Sequence, residues 1–298
     1  MNDRVSHPQR IALGIEYDGS RFLGWQWQRG QRTVQAELEA ALTRVADQSV
    51  SVLCAGRTDA GVHALEQVVH FETSVVRDCK AWLMGGNVYL PADVRITWAK
   101  PVVPDFHARY SAIARFYRYI ILNRPTKSAL QPTQMTWCYY PLDAERMQAA
   151  AQYLLGEHDF SSFRAQGCQS VSPNRYLYFI NVRREQEQVV IDISANAFLH
   201  HMVRNIVGVL MEIGMHKKPI TWTQELLRVK DRRQAAMTAS PCGLYLGGVF
   251  YPEHFGLSKH PVFLQLPADA KRFDEPRSVT EKAELAVSEL QLRNNRVN

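Results

Sequence analysis

The order in which strand and helix patterns follow one another limits this chain to few folds. Apolar residues alternate from Ile11 to Tyr17 and stop at Asp18-Gly19, the pattern of a half-buried strand that ends in a turn. Thr33 then precedes a helical stripe of apolar residues. The first hundred residues predict the order βαββαβ. The predicted elements are strands at 11–17, 49–55, 67–73 and 93–98, a helix at 34–45 and a weaker helix near 78–84.

The second half repeats this order. Asp143 and Gly156 are the predicted caps of one helix, and Thr221 with Gln224 forms a capping-box pattern at the start of another. The predicted elements are strands at 112–122, 176–184, 189–194 and 243–251, and helices at 143–155, about 200–215 and from 221 onward.

Each half thus resembles a ferredoxin-like βαββαβ unit. The fold class is α+β, with two fused halves that share an extended, mainly antiparallel central sheet. We expect an N-terminal catalytic half over residues 8–104, a C-terminal half over 105–255, and a loosely ordered extension over 256–298.

The composition excludes several classes of protein. Of 298 residues, 46% are hydrophobic and 21% are charged, which suits a chain with a large core and excludes a disordered or fibrous one. No stretch approaches about 18 continuous apolar residues, and the polar start lacks the apolar segment of a signal peptide. We therefore expect a cytoplasmic protein that does not bind membranes. The five cysteines include no CxxC pair, which argues against a disulfide framework and a zinc knuckle.

The charge of the chain favours a polyanionic partner. Lysine and arginine total 35 against 29 acidic residues, a formal net charge of +6. Acidic residues are missing between Asp105 and Asp143 and within residues 160–184. Aromatic residues interleave with the basic ones in the first window, which suits RNA, although surface strands also lack one sign of charge by chance. The basic residues of the two windows are Arg109, Arg115, Arg118, Arg124, Lys127, Arg164, Arg175, Arg183 and Arg184.

The segment from Ala55 to Ala64 leaves a predicted strand and places Arg57 and Asp59 between two glycines. A glycine-flanked loop lets the backbone and a ligand approach closely. Taken as local chemistry alone, Asp59 is either a reactive carboxylate or a turn residue that accepts backbone N–H bonds.

The loop sequence Gly56-Arg57-Thr58-Asp59-Ala60-Gly61-Val62-His63 matches the catalytic signature of pseudouridine synthases, and its form is similar to that of the tRNA pseudouridine synthase A family. Further matching segments span residues 11 to about 251, nearly everything except the C-terminal extension. They are Ile15-Glu16-Tyr17-Asp18-Gly19-Ser20, Gly24-Trp25-Gln26, Phe106-His107-Ala108-Arg109, Arg118-Tyr119, Phe160-Ser161-Ser162-Phe163-Arg164 and Asn196-Ala197-Phe198-Leu199-His200-His201-Met202-Val203-Arg204-Asn205.

This resemblance implies that uridine is converted to pseudouridine at positions 38, 39 and 40 in the anticodon stem-loop of tRNA, by a homodimer that uses no cofactor. Two alternatives stay open. One is a pseudouridine synthase that acts on another RNA, and the other is a non-catalytic RNA-binding protein of the same fold. The intact loop argues against the second.

The resemblance also implies roles for individual side chains. Asp59 is the nucleophile, and it attacks the ribose C1′, attacks the base C6, or promotes a glycal. Arg204, expected four residues after His200 on one helical face, pairs with Asp59 and keeps it ionised in a closed pocket. Arg57 flips the target base out of its stack. Tyr117 stacks on the uracil and helps to remove the C5 proton, and Leu244 packs on the base.

The remaining residues that the resemblance implies are RNA contacts. Three positions, Pro125, Val171 and Asn174, depart from the family pattern. The expected contacts are Arg77, Phe106, His107, Ala108, Arg109, Tyr110, Gly167, Cys168, Gln169, Ser170 and Val171.

No metal site is predicted. His200 and His201 are adjacent, and adjacent residues of a helix point in different directions, with no third ligand spaced to join them. Phosphate-binding and dinucleotide-binding glycine motifs are also missing from the sequence, in agreement with an isomerisation that needs no cofactor.

Overall fold

One large sheet organises residues 9–257, the part of the chain that the computed structural model describes. Its strands are β1 (Gln9–Tyr17), β2 (Leu53–Cys54), β3 (His63–Thr73), β4 (Val94–Val102), β5 (Ala114–Asn123), β6 (Thr136–Cys138), β7 (Gly156–Asp159), β8 (Asn174–Glu185), β9 (Gln188–Ala195) and β10 (Leu244–Phe250). The helices are α1 (Val34–Ala46), α2 (Gly86–Tyr89), α3 (Ala144–Ala151), α4 (Met202–Gly214) and α5 (Trp222–Val229), with a π-helix over Ala81–Gly85 before α2. The fold is therefore mixed α and β.

The strand order is β4-β1-β3-β10-β5-β9-β8-β7, with β2 paired to β3 and β6 paired to β5. The pairs β3–β10 and β5–β6 are parallel, and the other pairs are antiparallel. The last strand, β10, inserts between β3 and β5 and so joins strands from both halves of the chain. The sheet is mainly antiparallel, as the sequence predicts.

The β3–β10–β5 junction places distant residues side by side. Leu246 of β10 lies opposite Ala64 on one neighbour and Tyr117 on the other, and Leu244 lies opposite Tyr119. Because β3 begins at His63, the glycine-flanked loop enters the sheet at this junction.

The two faces of the sheet are packed differently. Ile11 and Leu13 of β1 belong to the main core cluster, to which α1, α3 and α4 contribute, whereas the intervening Ala12 belongs to a second cluster. Phe106 and Tyr251 are in that second cluster, so the segment before β5 covers the other face. This alternation follows from the two-residue period of a strand.

Local periodicity predicts most elements correctly, with a few exceptions. The helix expected from about residue 200 begins at Met202. The capping box at Thr221 is wrong: its backbone is already helical, at φ −69° and ψ −11°, and its side chain caps nothing. The strands β6 and β7 were not predicted, because three or four residues carry too little periodicity. The proposed extension over residues 256–298 lies outside the described residues from residue 258 onward.

Within the described residues, no helix combines the length and the apolar character that crossing a membrane would require.

Candidate active site

Neighbouring segments fix the backbone of the loop that carries Asp59. The Thr58 hydroxyl hydrogen-bonds to the buried hydroxyl of Tyr17 at 2.7 Å, and the Thr58 carbonyl accepts from the Trp25 N–H at 3.0 Å. The Gln67 amide donates to the Gly56 carbonyl at 2.5 Å. Val62 N–H donates to the Asp59 carbonyl at 3.2 Å, which closes a turn directly after Asp59. The loop is therefore held at both ends.

Gly24 shows why a glycine stands beside this loop. Its φ is +85°, and a Cβ there would lie 2.8 Å from the Thr58 carbonyl oxygen and 3.1 Å from the Ala60 nitrogen. Any larger residue would push the loop away, in addition to adopting a left-handed backbone that side chains disfavour.

The Asp59 carboxylate, 26% exposed, faces a nearly buried cation. Arg204 Nη1 donates to Asp59 Oδ2 at 3.1 Å, and Arg204 Nε donates to the Ala239 carbonyl at 2.8 Å. The Ala239 N–H in turn donates to the Arg204 carbonyl at 3.1 Å. The guanidinium is therefore fixed in place and is available to stabilise negative charge on Asp59.

Two histidines also converge on Asp59, contrary to the sequence prediction that they diverge. His200 Nε2 lies 3.5 Å from Asp59 Oδ1, and His201 Nε2 lies 3.3 Å from Asp59 Oδ2. Neither histidine is inside the helix, because His201 is the residue before α4 and has a left-handed backbone at φ +59°. This turn brings the two rings to 4.0 Å between centroids. Burial lowers the pKa of His201 even though the Asp59 charge opposes the shift.

The Tyr117 hydroxyl reaches the loop from β5, which β10 separates from β3. A Cβ added to Gly56 would be 4.0 Å from the Tyr117 hydroxyl, and the Tyr117 ring meets Phe198 edge-on at 5.0 Å. Burial, reinforced by the Asp59 charge, raises the pKa of Tyr117 above its ordinary value. Its hydroxyl is therefore protonated at neutral pH.

Tyr119 and Leu244 belong to the core beside this site. The Tyr119 hydroxyl donates to the Ser240 carbonyl at 2.7 Å and lies 2.6 Å from the Thr136 hydroxyl, in agreement with the interpretation of Tyr119 as a core residue. Leu244 is only 5% exposed and packs in the main cluster.

Arg57, by contrast, is exposed two residues before Asp59. Its charge is close enough to oppose the effect of burial on the Cys54 thiol, whose pKa nevertheless rises to about 12.

Arg115 has a structural function that sequence reasoning missed. The sequence places it in an RNA-binding window, but its guanidinium donates to backbone carbonyls of four separate residues. One of them, Ala55, opens the Asp59 loop, and another, Asn196, opens the segment that carries the two histidines. The other two are Ala112 and Arg109. Arg118 is likewise paired, with Asp192 at 2.7 Å.

The expected RNA contacts divide into exposed and buried groups. Phe106 and Ala108 are fully buried, and the backbone N–H and carbonyl of each are hydrogen-bonded within the protein, so the structure does not present these two residues to a ligand. His107 Nδ1 accepts from the N–H groups of Arg109 and Tyr110 at 3.1 and 3.3 Å and shapes the turn that exposes them. The exposed members are Arg77, Arg109, Tyr110, Gly167, Gln169 and Val171, and the half-buried members are His107, Cys168 and Ser170.

The segment from Gly167 to Val171 is tied to the Asp59 site. Arg164 donates to the carbonyls of Cys168 and Ser170 at 2.7 and 2.6 Å. The Cys168 sulfur accepts from the His200 N–H at 3.4 Å. A ligand that contacts this segment would therefore lie next to the histidine pair.

A model of one protein family, described as tRNA pseudouridine synthase, matches residues 14–111 and 150–252. The chain belongs to this family. Family membership makes it an isomerase that converts uridine to pseudouridine in tRNA.

Curated relatives of this chain carry the name of the same enzyme family. The chain is 64% identical over 264 residues to the tRNA pseudouridine synthase A of Methylococcus capsulatus, covering 89% of this chain and 97% of that protein. It is 56% identical over 263 residues to the protein of the same name from Escherichia coli, covering 88% and 97%. A solved Cbf5-Nop10-Gar1 complex aligns to 79% of this chain and 57% of that chain at 10% identity, with a TM-score of 0.31.

Proposed function

We propose that this chain isomerises uridine to pseudouridine at positions 38, 39 and 40 of the tRNA anticodon stem-loop, with Asp59 as the nucleophile. One observation carries the proposal: the partly exposed Asp59 carboxylate lies 3.1 Å from the nearly buried Arg204 guanidinium, on the loop that the Tyr117 hydroxyl approaches at Gly56. A carboxylate that is ionised, held in place and still reachable is what nucleophilic catalysis requires.

The reaction breaks the N1–C1′ bond of uridine and forms a C5–C1′ bond in its place. The hydrogen on C5 leaves as a proton, and N1 gains one, so no electron or external atom enters the product. Asp59 serves the step by attack on C1′, by attack on C6 or through a glycal. In each route Arg204 balances the charge of the carboxylate before and after it reacts.

We assign Tyr117 to the uracil and Arg57 to base flipping. In this proposal the Tyr117 ring stacks on the base, and its hydroxyl accepts the C5 proton as it gives up its own once the base has turned. Arg57 is exposed beside the nucleophile, so its planar guanidinium can fill the gap that the flipped nucleotide leaves. Leu244 supports the floor of the base pocket from within the core.

We assign two surface segments to the tRNA, at residues 106–110 and 167–171, together with Arg77. Arg109 and Tyr110 offer a cation and an aromatic face, with the Arg109 guanidinium 5.5 Å from the Tyr110 ring centre. Arg115 and Arg164 brace these segments from inside. These internal bonds hold the segments in place and support RNA contact by their exposed side chains, such as Arg109 and Tyr110.

We further propose two ferredoxin-like halves, at residues 8–104 and 105–255, and a cytoplasmic homodimer. The strand order is β4-β1-β3-β2 in the first half and β10-β5-β9-β8 in the second. This shared order supports the two halves, as do the two separate matches of the family model.

A tRNA substrate favours a cytoplasmic location for the enzyme. The dimer is inferred from the family resemblance, and light scattering that gives one chain at micromolar protein would reject it.

Tritium release from tRNA transcripts labelled at uracil C5 tests the main proposal. The wild type should release tritium only from transcripts with uridine at position 38, 39 or 40, and Asp59→Ala should release none while it still binds tRNA. Release from Asp59→Ala would reject the nucleophile. Release from uridine elsewhere alone would reject the site assignment while it keeps the reaction.

A further inference from the structure

Three groups at the proposed nucleophile form the donor set of a metal site. One imidazole nitrogen from each of His200 and His201 and one carboxylate oxygen of Asp59 lie within 4.8 Å of one another. His200 Nε2 is 3.5 Å from Oδ1, and His201 Nε2 is 3.3 Å from Oδ2. The left-handed backbone of His201 turns both rings toward the same carboxylate.

The two nitrogen–oxygen separations, one to each carboxylate oxygen, fall in the range of neighbouring ligand atoms at a tetrahedral zinc site. Bonds of about 2.0–2.2 Å from Zn²⁺ to nitrogen and oxygen place neighbouring ligand atoms about 3.3–3.6 Å apart. Two imidazoles and one carboxylate also form a familiar ligand set that leaves the fourth position open to water. All three side chains are reachable from solvent, with exposed fractions of 45% for His200, 28% for His201 and 26% for Asp59.

We propose that Zn²⁺ binds reversibly to Asp59, His200 and His201 and inhibits the enzyme. This inference rests on the proposed role of Asp59, because coordination to a metal ion withdraws negative charge from the carboxylate and so weakens it as a nucleophile. The bound ion would also occupy the space in front of the nucleophile, so Zn²⁺ and the target uridine would exclude each other.

Arg204 determines that the ion is an inhibitor and not a resident cofactor. Its guanidinium lies 3.1 Å from Asp59 Oδ2 and repels any cation bound to that oxygen. A second donor of the same guanidinium is already fixed on the Ala239 carbonyl, which keeps the charge close to the site. We therefore expect weaker binding than at a structural zinc site, and ready removal by a chelator.

Direct binding of Co²⁺ and Zn²⁺ to the full chain tests the site without any dependence on activity. Titration with Co²⁺ should give the strong visible absorption of a tetrahedral complex, and Zn²⁺ should displace it. Since a change behind a ligand already costs about 10–100-fold in affinity, His200→Ala, His201→Ala and Asp59→Asn should each weaken binding at least about tenfold.

His216→Ala is the matched control. His216 Nε2 also lies 3.5 Å from a carboxylate, that of Asp143, but no second histidine completes that site among the described residues. Its Co²⁺ spectrum and Zn²⁺ affinity should equal those of the wild type. Thermal unfolding of each variant by circular dichroism separates loss of the site from loss of the fold.

Activity is then compared with and without Zn²⁺ for each protein separately. Zn²⁺ should stop tritium release by the wild type and by His216→Ala at concentrations at which His201→Ala is still active. Added tRNA should relieve the inhibition. Equal Co²⁺ binding by all variants would overturn the site, and full activity at saturating Zn²⁺ would overturn the inhibition. An active Asp59→Ala would instead remove the nucleophile proposal, while the Co²⁺ titration would still decide the metal site.

Discussion

Arg204 and Asp59 are 145 residues apart in the chain, yet Arg204 Nη1 lies 3.1 Å from Asp59 Oδ2. Two elements produce this contact. Asp59 is on the loop that enters β3, and Arg204 is in the first turn of α4. The Ala239 carbonyl fixes the guanidinium from its other side, so the pair does not depend on two freely rotating side chains.

Arg204→Ala should lower kcat by about 10²–10³, the usual cost of losing one fixed charge-stabilising donor in an active site. The kcat of Arg204→Lys should lie between those of the wild type and Arg204→Ala, because lysine keeps the charge and loses the planar geometry. Single-turnover tritium release measures the chemical step. Arg233→Ala is the control, since its side chain is 90% exposed. An unchanged kcat for Arg204→Ala would show that Asp59 needs no fixed cation.

Tyr117→Phe removes only a hydroxyl and should slow release of the C5 proton by about 10²-fold, the lower range for proton-transfer catalysis. Affinity for tRNA should hold, because the stacking ring remains. Tyr117→Leu should lose affinity as well. Single-turnover rates measure the effect on proton release, and filter binding measures the effect on tRNA affinity.

Tyr119→Phe is a matched control two residues along the same strand. Its hydroxyl contacts Ser240 and Thr136 in the core, so its loss should lower the free energy of unfolding by about 1–3 kcal/mol and leave the single-turnover rate intact. If Tyr117→Phe behaved in the same way, the Tyr117 hydroxyl would be structural.

Features with local causes could be predicted from the sequence. The strand β1, the helix α1 with its Thr33 cap and the hairpin of β8 and β9 follow from periodicity and turn residues alone. The prediction that Asp59 is the nucleophile rests on the motif around it.

Features that depend on distant contacts could not be predicted. The convergence of His200 and His201 on Asp59 requires a left-handed residue just before α4, which no helical pattern shows. The structural role of Arg115 depends on carbonyls from four separate residues. Charge counting cannot distinguish such an arginine from one on an RNA-binding surface.

Arg57→Ala should impair modification most where the target uridine is base-paired. Positions 39 and 40 lie in the anticodon stem and position 38 in the loop, and extruding a paired base costs a few kcal/mol more. Transcripts with one uridine each at position 38, 39 or 40 compare the three rates. The loss should be larger at 39 and 40, with Arg57→Lys intermediate. Equal losses at all three positions would indicate a general contribution to binding and not to base flipping.

The buried side chain of His70 makes the stability of the fold depend on pH. Its Nδ1 accepts from the Ala108 N–H at 3.1 Å, so it holds the segment before β5 only in its neutral form. Burial lowers the pKa of His70 from 6.5 to about 4, with further lowering by His107 and Arg10 and opposition from Glu72. The unfolded chain therefore binds more protons than the folded one between these two values.

Stability should accordingly be highest above pH 6.5 and fall as the pH drops from 6.5 toward 4, because protonation favours the unfolded chain throughout that range. His70 alone should contribute about 2–3 kcal/mol to this loss. His70→Gln cannot titrate and can still accept from Ala108. Urea unfolding of both proteins across this range should show a shallower decline for His70→Gln. Parallel declines would mean that His70 is free to take up a proton in the folded protein.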